Sequence, residues 1–175
     1  MMKKQIATSL GVILLAAFAA QGQNGFWSGR FGYDQVGGNA YNAQEFSLDL
    51  MGMYATRDKS GQDVDAWGLG VGLNYFFTRN MGVGADTYAD AFEVPYLLNA
   101  SFIYRYPVSD TGFAPYGFAG FGRQWEHAPQ WMGHIGLGIE YRINVRTGVF
   151  VDARRVFPVE TGDYAVWRAG MRFGF

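Results

Sequence analysis

From residue 45 onward, apolar and polar side chains alternate with a period of two, the repeat expected of extended strands with one apolar and one polar face. Residues 66–77 show it most cleanly: Trp67, Leu69, Val71, Leu73, Tyr75 and Phe77 share one face, and Gly68, Gly70, Gly72 and Asn74 the other. Residues 132–143 set Ile135, Leu137, Ile139, Tyr141 and Ile143 against His134, Gly136, Gly138, Glu140 and Arg142. Residues 164–175 set Ala165, Trp167, Ala169, Met171, Phe173 and Phe175 against Arg168, Gly170, Arg172 and Gly174. Plainer alternation marks 45–56, 81–90, 95–106 and 147–156. In 113–124, rich in aromatics and glycine, the phase is blurred; a bulge is one account of it, and the face taken by Phe121 stays open. Eight strands are predicted in all.

The connections fall into two sets. Thr78-Arg79-Asn80, residues 107–112 and Asn144-Val145-Arg146 are short and carry turn residues. Residues 57–65, 91–94, 124–131 and 157–163 read as generally longer, more charged loops. An even number of strands brings both ends of the sheet to one side. The expected fold is all-β: an eight-stranded antiparallel up-and-down transmembrane barrel over 45–175, with its termini and short turns in the periplasm.

Eight strands also describe a soluble lipocalin-type barrel, so the polarity of the two faces has to decide. Asp49, Asp86, Arg105, Glu140, Arg142, Asp152, Arg154, Arg168 and Arg172 all share phase with the glycines. A soluble barrel would then have to fill its interior with Trp67, Tyr75, Tyr104, Tyr141, Trp167 and Phe175, and an eight-stranded lumen is only just wide enough for side chains. With the faces reversed, carboxylates and guanidiniums point inward and pair, while glycines leave them room. The expectation is a lumenal ion-pair network of those nine residues, with Glu140, Arg142, Asp152, Arg154, Arg168 and Arg172 forming a ladder between neighbouring strands. Aromatics near strand ends, among them Tyr54, Tyr106, Trp131 and Phe173, suit the water–lipid boundary.

The first 44 residues lack this period. Lys3 and Lys4, an apolar run from Ile6 to Phe18, and small residues at Ala17-Phe18-Ala19 or Ala20-Gln21-Gly22 read as a cleaved export signal over 1–22; the apolar run is too short to span a bilayer as a helix. Residues 23–44 are read as a periplasmic lead-in or plug segment, with a partial ninth strand near Phe26 to Tyr33 as the alternative. Composition agrees with a closed sheet, since aromatics make up 18% and charged residues only 17%, with 25 glycines. The absence of cysteine removes disulfides and thiolate chemistry. A net charge of −1 gives no reason to expect nucleic acid as a partner.

Three segments carry a family resemblance: Ala114-Pro115-Tyr116 followed by Gly117-Phe118-Ala119-Gly120-Phe121-Gly122, Gly136-Leu137-Gly138-Ile139-Glu140-Tyr141-Arg142, and Arg168-Ala169-Gly170-Met171-Arg172-Phe173-Gly174-Phe175. With them the chain resembles the small outer-membrane barrels related to the transmembrane domain of the OmpA family. The resemblance implies an outer-membrane location and insertion by the barrel assembly machinery, with Phe175, beside Phe173, in the recognition signal. No peptidoglycan-binding domain follows the barrel, so cell-wall anchoring does not carry over, and short outer loops argue against adhesion.

Catalytic chemistry has little to work with. A hydrolase needs a nucleophile, a base and an orienting group within hydrogen-bond reach, and His127 and His134 are the only histidines. His134 and Glu140 share a face but lie six residues, roughly 20 Å, apart along a strand. The His-Ser-Asn cluster associated with lipid A deacylase barrels is absent. Asp58, Asp63 and Asp65 read as a solvated loop rather than a calcium site. An eight-stranded barrel leaves no open channel. The expectation is therefore a monomeric, non-catalytic envelope protein without a cofactor, in contact with outer-membrane lipids. The alternative is a lipid-modifying enzyme or small-ligand binder at the rim around Trp125, Glu126, His127 and Trp131.

Overall fold

The computed structural model describes residues 40–59, 62–90, 97–109, 111–125, 129–160 and 162–175. The expected signal segment and most of the lead-in lie outside them. Eight strands follow in order: β1 (Glu45–Lys59), β2 (Gln62–Phe76), β3 (Met81–Asp90), β4 (Leu97–Arg105), β5 (Phe113–Gln124), β6 (Gln130–Arg142), β7 (Thr147–Pro158) and β8 (Tyr164–Gly174). Each pairs antiparallel with the next, and β8 returns to β1 in register from Ser47↔Gly174 to Thr56↔Ala165. Each described strand thus has a neighbour on both sides, the arrangement that removes free edge strands.

Side-chain alternation sends apolar residues outward. Leu69 and Leu137 are each 73% exposed and Trp67 70%, while Asp49, Arg105, Glu140, Arg142, Asp152 and Arg172 are buried inside. This is the reverse of a soluble barrel and matches a sheet whose outer face meets lipid.

The tight turns are fastened by side chains. Thr78 Oγ1 accepts from the backbone N–H of Met81 at 2.9 Å, and Asn144 Oδ1 accepts from those of Arg146 and Thr147 at 2.9 and 2.8 Å. At the opposite end the strands run further than the pattern predicts. Residues 57–59 and 62–65, read as loop, continue the β1–β2 ladder to Lys59↔Gln62. Trp131, Phe157 and Pro158 likewise belong to strands. Alternation fades there because the lumen itself turns apolar: Met53, Tyr88, Leu97, Met132, Val156, Tyr164 and Val166 form a buried cluster inside that end.

No bulge interrupts β5, whose register with β6 is continuous from Phe113↔Tyr141 to Gln124↔Gln130. Phe121 faces outward, whereas Tyr116 and Phe118 face inward. The phase blurs because both faces carry large rings. Inward rings fit a narrow barrel by standing opposite glycines: Phe76↔Gly82, Tyr88↔Gly70, Tyr116↔Gly138, Phe118↔Gly136 and Phe150↔Gly170. A methyl group at Gly136 would lie 2.3 Å from Phe118 Cζ, and one at Gly138 would lie 2.6 Å from Tyr116 Cζ.

Candidate functional site

Every chemically active side chain described inside the barrel occupies an inward strand position, so the sheet fixes its height and direction. Near the end where β1 begins and β8 ends, Arg105 grips Glu45 with two parallel hydrogen bonds of 3.1 Å, Nη1 to Oε1 and Nη2 to Oε2. Arg142 donates to both Glu45 and Glu140, and Arg172 donates from Nη1 to Glu140. Arg172 also forks onto Asp49, with Nε and Nη2 each 2.7 Å from a carboxylate oxygen. Asn74 completes the Asp49 shell at 2.9 Å.

Deeper in the lumen, Arg154 forks onto Asp86 at 3.0 and 2.6 Å, and Arg168 onto Asp152 at 2.7 and 2.9 Å. Arg168 Nη1 reaches Asp86 at 3.2 Å and links the two pairs. The Tyr116 hydroxyl donates to Asp152 at 2.6 Å and Asn99 to Asp86 at 3.0 Å. Asp49↔Arg172 and Asp152↔Arg168 are direct ladder neighbours; the Asp86–Arg154 and Glu45–Arg105 pairs join strands that are not adjacent. Gly148 stands in register between Arg142 and Arg172 and leaves room for the bridge to Glu140.

All nine residues expected in the lumen lie there, joined by a tenth, Glu45. Within this described network, Glu45, Asp49, Asp86, Glu140 and Asp152 face Arg105, Arg142, Arg154, Arg168 and Arg172, so formal charge cancels. The guanidiniums also stack on inward rings: Arg105 lies 3.6 Å from the centre of Phe76, Arg172 5.2 Å from Phe150, and Arg168 5.1 Å from Phe118. Planar, weakly hydrated guanidinium suits both contacts. A cavity of about 20 Å³ remains among Asp49, Asn74, Asp86, Ser101, Arg154, Arg168 and Arg172, room for about one water molecule.

Three features escaped the sequence reading. Glu45 begins a strand and was not counted on a face. The Ser101 hydroxyl lies 2.9 Å from His134 Nε2, reached across Gly120, which is in register with both; the β4–β5–β6 register is the signal that brings the two together. Both residues are buried, and His134 Nδ1 has no hydrogen-bond partner, so the pair lacks the orienting carboxylate of a hydrolase triad. The third feature is Tyr41, buried ahead of β1 at the end of the lumen where β8 finishes. Burial, assisted by the Glu140 carboxylate, pushes its phenol well above the ordinary range, which keeps it an O–H donor.

At the opposite rim, Trp131 is exposed, its ring centre 6.3 Å from that of Phe121 and 5.2 Å from the Arg123 guanidinium. Trp125 is half-buried. Glu126 and His127 lie outside the described residues, as do the side chains of Asp58, Asp63 and Asp65. Among the described residues, no group of three acidic or histidine side chains could hold a metal.

Closed eight-stranded topology, an apolar exterior and a charged interior define the class of small outer-membrane β-barrels, and solved structures of that class superpose on this chain. No protein-family model matches the sequence, and no curated protein matches it. The N-terminal barrel domain of Pseudomonas aeruginosa OprF is similar over 76% of this chain and 98% of its own, with a TM-score of 0.62 and 18% identity. Neisserial surface protein A is similar over 74% and 97%, with a TM-score of 0.60 and 14% identity. Ail of Yersinia pestis is similar over 76% and 99%, with a TM-score of 0.57 and 15% identity. At these identities the likeness establishes the fold.

Proposed function

We propose that this chain is a non-catalytic, monomeric integral protein of the bacterial outer membrane that contributes to envelope integrity. The observation that carries the reading is the lumen: a charge-balanced ion-pair network fills it, bounded by an apolar cluster at one end and by Tyr41 at the other. Such an interior leaves little for transport, and the Ser101–His134 contact within it is enclosed. The outward apolar belt supports lipid as the main partner, and the solved neighbours support the outer membrane as its place. Phe175 and Phe173 are assigned to recognition by the assembly machinery, residues 1–22 to a cleaved signal and 23–44 to a periplasmic lead-in.

Deleting the gene should make cells more permeable to detergents and bulky apolar dyes, and wild type and His134→Ala should restore the barrier equally. An unaltered barrier in the deletion strain would remove the structural role. A lipid A profile that changes on deletion and is not restored by His134→Ala would establish catalysis instead. The Arg123–Trp131–Phe121 group favours a second reading, recognition of an anionic lipid headgroup at the rim. Under that reading Arg123→Ala would lower retention of anionic lipid on the purified barrel.

A further inference from the structure

We propose that residues 40–44 form a detachable cap over the end of the lumen where β1 begins and β8 ends, with Tyr41 as its latch. The segment lies ahead of the first strand yet is tied across the barrel mouth. Gln44, at φ 58°, is the one non-glycine residue with positive φ among the described residues, a left-handed step that side chains other than Asn and Asp rarely take. It turns the chain between Tyr41, which is buried, and Glu45, which belongs to the ion-pair network. The Tyr41 hydroxyl donates to the Gly112 carbonyl, 2.7 Å away in the β4–β5 turn. Its ring stands 4.9 Å from the Arg105 guanidinium and 5.1 Å from that of Arg142. Ala40 and Tyr41 pack on Ala114, and the Asn42 carbonyl accepts from Arg105 Nη2 at 3.1 Å.

The two ends of the lumen are therefore closed by different means. At the far end the closure is made of strand residues, such as Met53, Leu97 and Val156, and cannot move without breaking the sheet. At the near end it hangs on the Tyr41 hydroxyl, which faces the Gly112 carbonyl and, at 3.4 Å, that of Glu140, on the Asn42 bridge, on ring stacking and on the contact with Ala114, none of which belongs to the strand ladder. Local opening with the barrel intact is the expected result of such an arrangement. Release would admit water to Ser47, which is fully buried below the cap, and to the Arg142 Nη1 donor, which has no partner.

The chain has no cysteine, so Ser47→Cys is a clean reporter. The folded protein in detergent micelles is exposed to a charged methanethiosulfonate reagent, and modification is followed by mass spectrometry. Ser47→Cys should react slowly, and adding Tyr41→Ala should speed the reaction by about tenfold or more, the change expected when a buried hydrogen bond and its stacking are lost. Tyr41→Phe, which keeps the ring and loses the hydroxyl, should fall between. Leu97→Cys, in the far cluster, should be unaffected by either. Equal rates at Ser47→Cys with and without the Tyr41 substitutions would overturn the cap, as would a parallel rise at Leu97→Cys, which would mean general loosening. If Tyr41→Ala does not yield the folded, heat-modifiable form, Tyr41→Phe decides alone: a faster reaction than the parent supports the latch, and an unchanged rate rejects it.

Discussion

Arg172 touches two carboxylates and two rings, and these contacts suit a planar fork rather than a point charge. Arg172→Met would leave Asp49 and Glu140 without their shared cation and should cost about 3–5 kcal/mol. Arg172→Lys keeps the charge but loses the bidentate bond, and about 1–3 kcal/mol should follow. Urea titration of the heat-modifiable gel shift would rank the two. Glycines offer a matched test of the lumen's tightness. Gly136→Ala drives a methyl into Phe118 and should destabilise by about 1–3 kcal/mol. Gly133→Ala, where no atom lies within 4 Å, should change stability by less than about 0.5 kcal/mol. The inward position of Asp49, Asp86 and the arginines was readable from phase alone. Their partners were not: Asp86–Arg154 and Glu45–Arg105 join strands that are not adjacent, and such contacts depend on barrel diameter and stagger, which a one-dimensional pattern does not contain.

Among the elements, β2, β6 and β8 were the most legible, since their inward positions alternate with an unbroken apolar outer face. β5 was the least, because Tyr116 and Phe118 are as large as the outward Phe121, and only the glycines opposite them on β6 reveal which rings point in. The far ends of β1 and β2 were misread as loop, since charge there ordinarily signals solvent and here belongs to strands continuing the ladder. β8 closes the sheet on β1, and the Phe175 N–H donates to the Phe46 carbonyl at 2.8 Å, with the two rings 6.5 Å apart. Phe175→Asp should therefore loosen the seam and, through the assigned assembly signal, lower the folded protein recovered from outer-membrane fractions. Immunoblots of unboiled samples would measure it, and normal levels would count against that assignment.

At the scale of the whole described barrel, the ion-pair network is enclosed rather than displayed. Salt screens exposed pairs over about 8–10 Å of water but reaches buried ones poorly, so the urea midpoint should move little as sodium chloride is raised. A marked fall would mean that ions enter the lumen. The seam pair Asp49–Arg172 joins the first strand to the last, and Glu45 on β1 likewise needs Arg105 and Arg142 from β4 and β6. Neither β1 carboxylate can reach its arginine while the sheet is an open ribbon. A half-inserted intermediate would have to carry bare Asp49 and Glu45 toward a lipid phase, and its free energy rises accordingly. Insertion and closure are therefore expected to be coupled, with β8 supplying a counter-ion for β1.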